Sequence, residues 1–114
     1  MILFGDNLVD PDQTRLFISQ LQTHSVVTTG VPLLMSVDQE GGLVNRLGEV
    51  SGYAMMRHSA RTLGRVYEYA PGKARKLVSH MTGRIARTMR GLGFNMNMAP
   101  VLDLTDDEES YIYS

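Results

Sequence analysis

Val31-Pro-Leu-Leu-Met-Ser-Val-Asp-Gln-Glu-Gly-Gly-Leu-Val-Asn-Arg-Leu47 is the stretch on which the fold turns. An apolar run, Leu33 to Val37, ends in a carboxylate, Asp38, and a second, Glu40, follows it closely. Gly41-Gly42 then turns the chain, and an arginine, Arg46, arrives soon after. A buried strand that delivers charged residues at its C-terminal end, just ahead of a glycine turn, is how α/β proteins build sites.

Upstream of this stretch, Ile2-Leu-Phe4 followed by Gly5-Asp6-Asn7 predicts a short strand ending in a loop. Asp10-Pro11-Asp12-Gln13 predicts a helix start: Asp10 can cap, Pro11 suits the first helical position, and Gln13 stands where a capping box reaches back. The helix is expected to run to about Gln22 and to bury Leu16, Phe17, Ile18 and Leu21 in part. His24 to Gly30 then reads as a loop into a strand at Pro32 to Val37.

Downstream, Leu47 to Ala70 contains Gly48, Gly52 and Gly64, with a helical turn or two around Ser59 to Tyr67. The clearest helix begins at Pro71. Ala74, Leu77, Val78, Met81, Ile85, Thr88, Met89 and Leu92 share one face, and Lys73, Lys76, His80, Arg84 and Arg87 the opposite one. Gly91 and Gly93 supply the stop. Phe94 to Met98 alternates with the period of a strand and Ala99-Pro100 ends it. Val101 to Leu104 follows, and the polar acidic tail, residues 105–114, reads as poorly ordered.

Strand, helix, strand, long insertion, helix, strand is the order of βαβ units around a parallel sheet. Each strand ends in polar residues, Asp6 and Asn7, then Asp38 to Glu40, then Asp103, which gathers carboxylates at one rim. With 114 residues the chain is one domain at most, able to bury roughly two-thirds of its unfolded surface. A content of 43% hydrophobic and 20% charged residues places it among folded globular chains.

A net charge of −1 exerts no global pull toward nucleic acid or a membrane surface. Nine basic residues and one acid, Glu68, lie between Arg57 and Arg90, while Asp103 to Glu109 holds five acids. The basic block is interleaved with an apolar stripe, so it reads as a solvated helix face rather than a nucleic-acid surface. The absence of Cys excludes disulfides, thiolate metal sites and cysteine nucleophiles. Met1-Ile-Leu-Phe4 is too short for a signal peptide, and no apolar run approaches the ~20 residues of a membrane-spanning helix. A cytoplasmic location is the expectation.

Asp38 and Glu40 would point the same way on an extended strand, with Cα atoms roughly 6.6 Å apart. Carboxyl groups so placed suit the acid and nucleophile of glycosidic-bond hydrolysis. The alternative is that Asp38 pairs with Arg46 to brace the Gly41-Gly42 turn while Glu40 faces solvent. Asp38 can also act without catalysing, since a carboxylate accepts hydrogen bonds from vicinal sugar hydroxyls and Arg46 can donate to a sugar oxygen. His24, His58 and His80 are scattered without metal-ligand spacing, and no phosphate-binding or nucleophile-elbow motif is present, so no cofactor is expected. Asn95 and Asn97 read as pocket-lining residues or, more simply, as amides satisfied within a packed interior.

Asp38-Gln-Glu-Gly-Gly-Leu-Val-Asn-Arg46-Leu47 resembles the N-terminal (β/α)8-barrel domain of glycoside hydrolase family 3, in its β-N-acetylhexosaminidase branch. Ile2 to Asn7, Gly91 to Asn97, and Ala99-Pro-Val-Leu-Asp-Leu104 agree with that family in the same order. The resemblance implies an α/β fold, about three βα units of a TIM barrel over residues 1–104. It further implies a retaining enzyme that removes terminal β-linked N-acetylglucosamine, as in peptidoglycan recycling. By the same resemblance Asp38 and Arg46 are substrate-binding residues, and the ligand is a small molecule or oligosaccharide ending in a β-linked amino sugar.

The family's Lys-His-Phe-Pro-Gly-His-Gly stretch and the strand bearing its nucleophilic aspartate are absent from these residues. An arginine motif expected after the Ala-Pro-Val-Leu-Asp strand is replaced by Thr105-Asp-Asp-Glu-Glu109, and a proline expected before Ala54-Met55 by Gly52-Tyr53. The opening barrel strand that the family places before the segment matching Met1 is missing too. Three strands cannot close an eight-stranded barrel, which takes ~200 residues or more. The chain is therefore expected to hold sugar-binding but no catalytic residues, and to be inactive alone. The competing expectation is a non-catalytic sugar-binding or interaction module, whose uncovered sheet edges open a route to self-association.

Overall fold

Asp10 opens the first helix in the way its sequence implies. Its Oδ1 accepts from the backbone N–H groups of Asp12 and Gln13, both at 2.8 Å, and Pro11 occupies the first turn. The Gln13 amide reaches back past the cap, its Oε1 accepting from Val9 N at 3.2 Å. In the computed structural model, which describes residues 1–48, 50 and 58–110, this helix is α1, Pro11–Thr29.

Helix α1 runs past Gln22, through the stretch expected to be a loop. Thr28 and Thr29 return their hydroxyls to the carbonyls of His24 and Ser25, at 2.7 and 2.8 Å, and the helix stops only at Gly30, with φ +74°. These contacts give the threonine hydroxyls partners within the helix, while such back-bonding does not itself favour helix over strand. Ile18 is buried and Phe17 and Leu21 are half-buried as expected, whereas Leu16 is 61% exposed and faces solvent.

Three short parallel strands follow the expected order. They are β1 (Ile2–Leu3), β2 (Ser36–Val37) and, after two more helices, β5 (Met96–Asn97), with β2 in the centre. The register pairs Ile2 with Ser36 and Leu3 with Val37, then Ser36 with Met96 and Val37 with Asn97. Each is shorter than the apolar runs predicted. Leu33 is held by the side chain of Gln22, which accepts from Leu33 N at 2.8 Å and donates to Leu33 O at 2.9 Å in place of a neighbouring strand.

A small antiparallel hairpin, β3 (Gln39–Gly41) with β4 (Val44–Asn45), was not foreseen. Gly41 and Gly42 take φ of +92° and +62°, the left-handed region open to glycine. A single 3-10 turn, Arg46–Gly48, ends the hairpin.

Helix α2 (Ala60–Tyr69) realises the expected turns around Ser59, which caps it through Thr62 N at 3.2 Å. Helix α3 (Pro71–Leu92) follows its predicted face in most positions: Ala74, Met89 and Leu92 are buried, Leu77, Met81, Ile85 and Thr88 half-buried and Val78 exposed, while Lys73, Lys76, His80, Arg84 and Arg87 are exposed. Gly93, at φ +98°, closes it. The core joins α1, β1, β2 and α3 through Leu3, Ile18, Met35, Val37, Leu47, Met89, Leu92 and Phe94.

The departure expected at Gly52-Tyr53 lies outside the described residues, as does the end of the tail. Residues 105–110 carry no helix or strand, and Asp107 Oδ1 accepts from Glu109 N at 3.0 Å. Among the described residues no helix is long and apolar enough to cross a membrane.

Candidate functional site

The C-terminal ends of β2 and β5 meet at one rim of the sheet, and the Asp38–Leu47 segment folds over it. Asp38 does not lie on the same strand as Glu40. Strand β2 ends at Val37, and β3 begins at Gln39 as half of a separate hairpin, so Asp38 is the hinge between two sheets. The strand geometry assumed for a side-by-side carboxylate pair is therefore not the one formed.

The expected brace between Asp38 and Arg46 is not formed either. Among the described residues no ion pair within 4.0 Å joins them. The turn is braced instead by Gln39, which is 1% exposed. Its Nε2 donates to Asn45 Oδ1 at 2.7 Å, and its Oε1 accepts from Leu47 N at 2.9 Å. Arg46 therefore stands between two residues fixed by one buried amide. Asn45 in turn occupies the space beside Gly48, where an added Cβ would stand 2.1 Å from Asn45 Nδ2.

Asn95 and Asn97 serve backbone groups across the sheet. Asn95 Oδ1 accepts from Met35 N at 2.7 Å and its Nδ2 donates to Leu33 O at 3.0 Å. Asn97 repeats this around Gln39, accepting from Gln39 N at 3.1 Å and donating to Gln39 O at 3.1 Å. The amides are satisfied by backbone groups on either side of the paired residues of β2, but not within a packed interior: Asn95 is exposed, Asn97 is half-buried, and both line the cavity that flanks β5.

Arg46 is half-buried, and its Nε lies out of contact with solvent without a hydrogen-bond partner among the described residues. An unmet buried donor on a cation is costly unless an acceptor arrives. Glu40 is half-buried rather than solvent-facing. Its burial pushes the carboxyl above the ordinary value of 4.5, and the nearby Asp38 carboxylate adds to the rise. The Arg46 guanidinium opposes it. Asp38, Glu40 and Arg46 thus share one electrostatic neighbourhood, with an acceptor, a carboxyl of raised proton affinity and an inward-facing donor.

Two open cavities are seen among the described residues. One of about 430 Å³ lies between α2 and α3, lined by Leu63, Tyr67, Ala74, Arg75 and Val78, with Arg75 5.8 Å from the centroid of the Tyr67 ring. The other, about 490 Å³, flanks β5 and is lined by Met89, Phe94, Met96 and Asn97. His24, His58 and His80 join no metal-binding group of three or more among the described residues.

Sequence reasoning singled out Asp38, Arg46 and Glu40 and missed Gln39. The available signal was its place inside the motif as a lone uncharged polar residue between two carboxylates. Its partner Asn97 is 58 positions away, which no local pattern reveals.

Comparison with known proteins covers almost the whole chain. The glycosyl hydrolase family 3 N terminal domain matches residues 1–113. A beta-hexosaminidase of Methylobacillus flagellatus is 33% identical over 112 residues, 98% of this chain and 30% of that protein. Those of Bordetella avium and Alkalilimnicola ehrlichii are 35% and 36% identical, each over 91% of this chain and 28% of their own length. The chain spans somewhat under a third of the curated relatives it matches. No solved structure matches it. On the strength of a match running from β1 through α3 and β5, the chain belongs to the glycosyl hydrolase family 3 N-terminal domain family.

Proposed function

We propose that this chain is the sugar-holding part of a retaining glycoside hydrolase acting on terminal β-linked N-acetylglucosamine. In this reading Asp38 accepts hydrogen bonds from vicinal hydroxyls of the terminal sugar, and Arg46 donates to a ring or substituent oxygen. The observation that carries it is the buried Arg46 Nε, a charged group's donor without an acceptor among the described residues, on the segment that follows the C-terminal end of β2. A sugar oxygen would complete it. The relatives' name, beta-hexosaminidase, agrees with an amino sugar as ligand.

The parallel order β1-β2-β5, with helices in the connections, supports reading residues 1–104 as about three βα units of a (β/α)8 barrel. The 114 residues hold no match to the family's acid/base stretch or its nucleophile strand, so the chain by itself binds but does not hydrolyse. The test has two arms. Saturation-transfer NMR on N-acetylglucosamine, with glucose as competitor, is expected to show contact for the amino sugar; no transfer would refute the sugar site. Incubation with an aryl N-acetyl-β-glucosaminide is expected to release no phenol, and measurable release would refute the inactivity.

A second reading, a non-catalytic interaction module, is favoured by apolar side chains exposed at the β5 edge and beyond. Met96 and Met98 are 40% and 45% exposed, and Leu102 and Leu104 are 82% and 96% exposed. A stable, concentration-independent oligomer on size exclusion would support that reading, and a monomer would count against it.

A further inference from the structure

Asp38 and Arg46 are each the middle residue of a pinned triplet. Before Asp38, Val37 pairs with Asn97 in the ladder, and its carbonyl accepts from Met98 N at 3.1 Å. After Asp38, the backbone of Gln39 is held at both ends by the Asn97 amide, with N···Oδ1 and Nδ2···O both 3.1 Å. On the other side, the Gln39 side chain bonds Asn45 at 2.7 Å and Leu47 N at 2.9 Å, the two neighbours of Arg46. Each amide oxygen and nitrogen of Gln39 and Asn97 thus has a protein partner. Gln39 is 1% exposed, so water does not compete for its bonds.

We propose that Gln39 and Asn97 are positioning residues: a relay of two side-chain amides, running from β5 to both flanks of Arg46, fixes Asp38 and Arg46 relative to one another. This rests on the reading of Asp38 and Arg46 as the sugar-holding pair. In this arrangement the backbone on both sides of Asp38 and of Arg46 is held although no ion pair joins the two residues. Its consequence is a site set before the ligand arrives, so the cost of ordering the two charged side chains is not met at binding.

A merely structural amide provides the control. Gln22 makes the same two-bond contact to the backbone of Leu33, at 2.8 and 2.9 Å, away from the motif. In the ¹⁵N-labelled 114-residue chain, the Arg46 Nε–H resonance is followed while N-acetylglucosamine is titrated. Gln39→Met removes both side-chain bonds at similar volume. It is expected to move or broaden the Arg46 resonance and to weaken N-acetylglucosamine binding by about tenfold, the order set by two lost hydrogen bonds. Gln22→Met is expected to lower the unfolding midpoint while leaving the resonance and the affinity alone. If Gln39→Met does not fold, Asn97→Leu is expected to give the same shift. An unmoved Arg46 resonance in a folded variant, or an equal response to Gln22→Met, overturns the proposal. If the wild-type chain shows no sugar-dependent change, the sugar reading fails, and the Arg46 resonance still decides the positioning role.

Discussion

Gly93 lies directly against Ile18: a Cβ built on Gly93 would stand 2.8 Å from Ile18 Cγ2. This is where the end of α3 crosses α1, and Gly93 also holds a left-handed φ of +98°. Gly93→Ala therefore combines left-handed strain of ~1–2 kcal/mol with overpacking of ~1–3 kcal/mol. Gly30, at φ +74°, has no atom within 4 Å of the same added Cβ. Gly30→Ala should lose only the strain. Urea unfolding checks this, and equal losses at the two sites would refute the contact as the cause.

The start of α1 makes a second test. Asp10 Oδ1 accepts from two backbone N–H groups, so Asp10→Ala is expected to destabilise the fold by ~1 kcal/mol. Asp10→Asn, which keeps an acceptor oxygen, should recover most of the loss. Thermal unfolding of the three proteins side by side reads the order directly.

Glu40 predicts a dependence on pH. Burial, then the Asp38 carboxylate, raises its carboxyl above 4.5 in the folded chain, with Arg46 acting the other way. The folded state thus holds the proton more tightly than the unfolded state, so Glu40 favours folding in acid. That contribution is lost as pH rises from the ordinary value through the raised one. Glu40→Gln cannot lose it. Its urea midpoint relative to wild type should rise as pH is raised from the ordinary carboxyl value upward, and a constant or falling difference would refute the assignment. In an Asp38→Asn background the rise should narrow but persist, because burial remains the larger cause.

Much of this architecture can be read from local chemistry. Asp10-Pro11 marks the start of α1, Pro71 and Gly93 bound α3, and the order of strands and helices follows from their periods. The continuation of α1 through Ser25 to Thr29 cannot be read so, because Val26, Val27, Thr28 and Thr29 are β-branched and favour strands. The helix stops at Gly30, directly after Thr29, and the threonine hydroxyls find their partners on preceding carbonyls. Leu16 shows the converse limit, an apolar residue on a helix that faces solvent because the buried stripe passes through Thr14 and Ile18.

The candidate site divides in the same way. Asp38, Glu40 and Arg46 stand out because charge follows an apolar run and precedes Gly41-Gly42. What fixes them does not stand out. The brace is an uncharged residue, Gln39, acting with Asn97 from the far side of α3, and sequence spacing carries no trace of that contact. The pairing that charge alone suggests, Asp38 with Arg46, is not formed.

The affinity for N-acetylglucosamine of wild type against Asp38→Asn reads the proposed sugar contact. Asp38→Asn keeps the volume of the side chain but replaces a charged acceptor, a loss of ~1.5–3 kcal/mol for hydrogen bonds of this kind. Binding is expected to weaken by roughly tenfold to a hundredfold in Asp38→Asn, with the fold intact by circular dichroism. Equal affinity in the two proteins would contradict it.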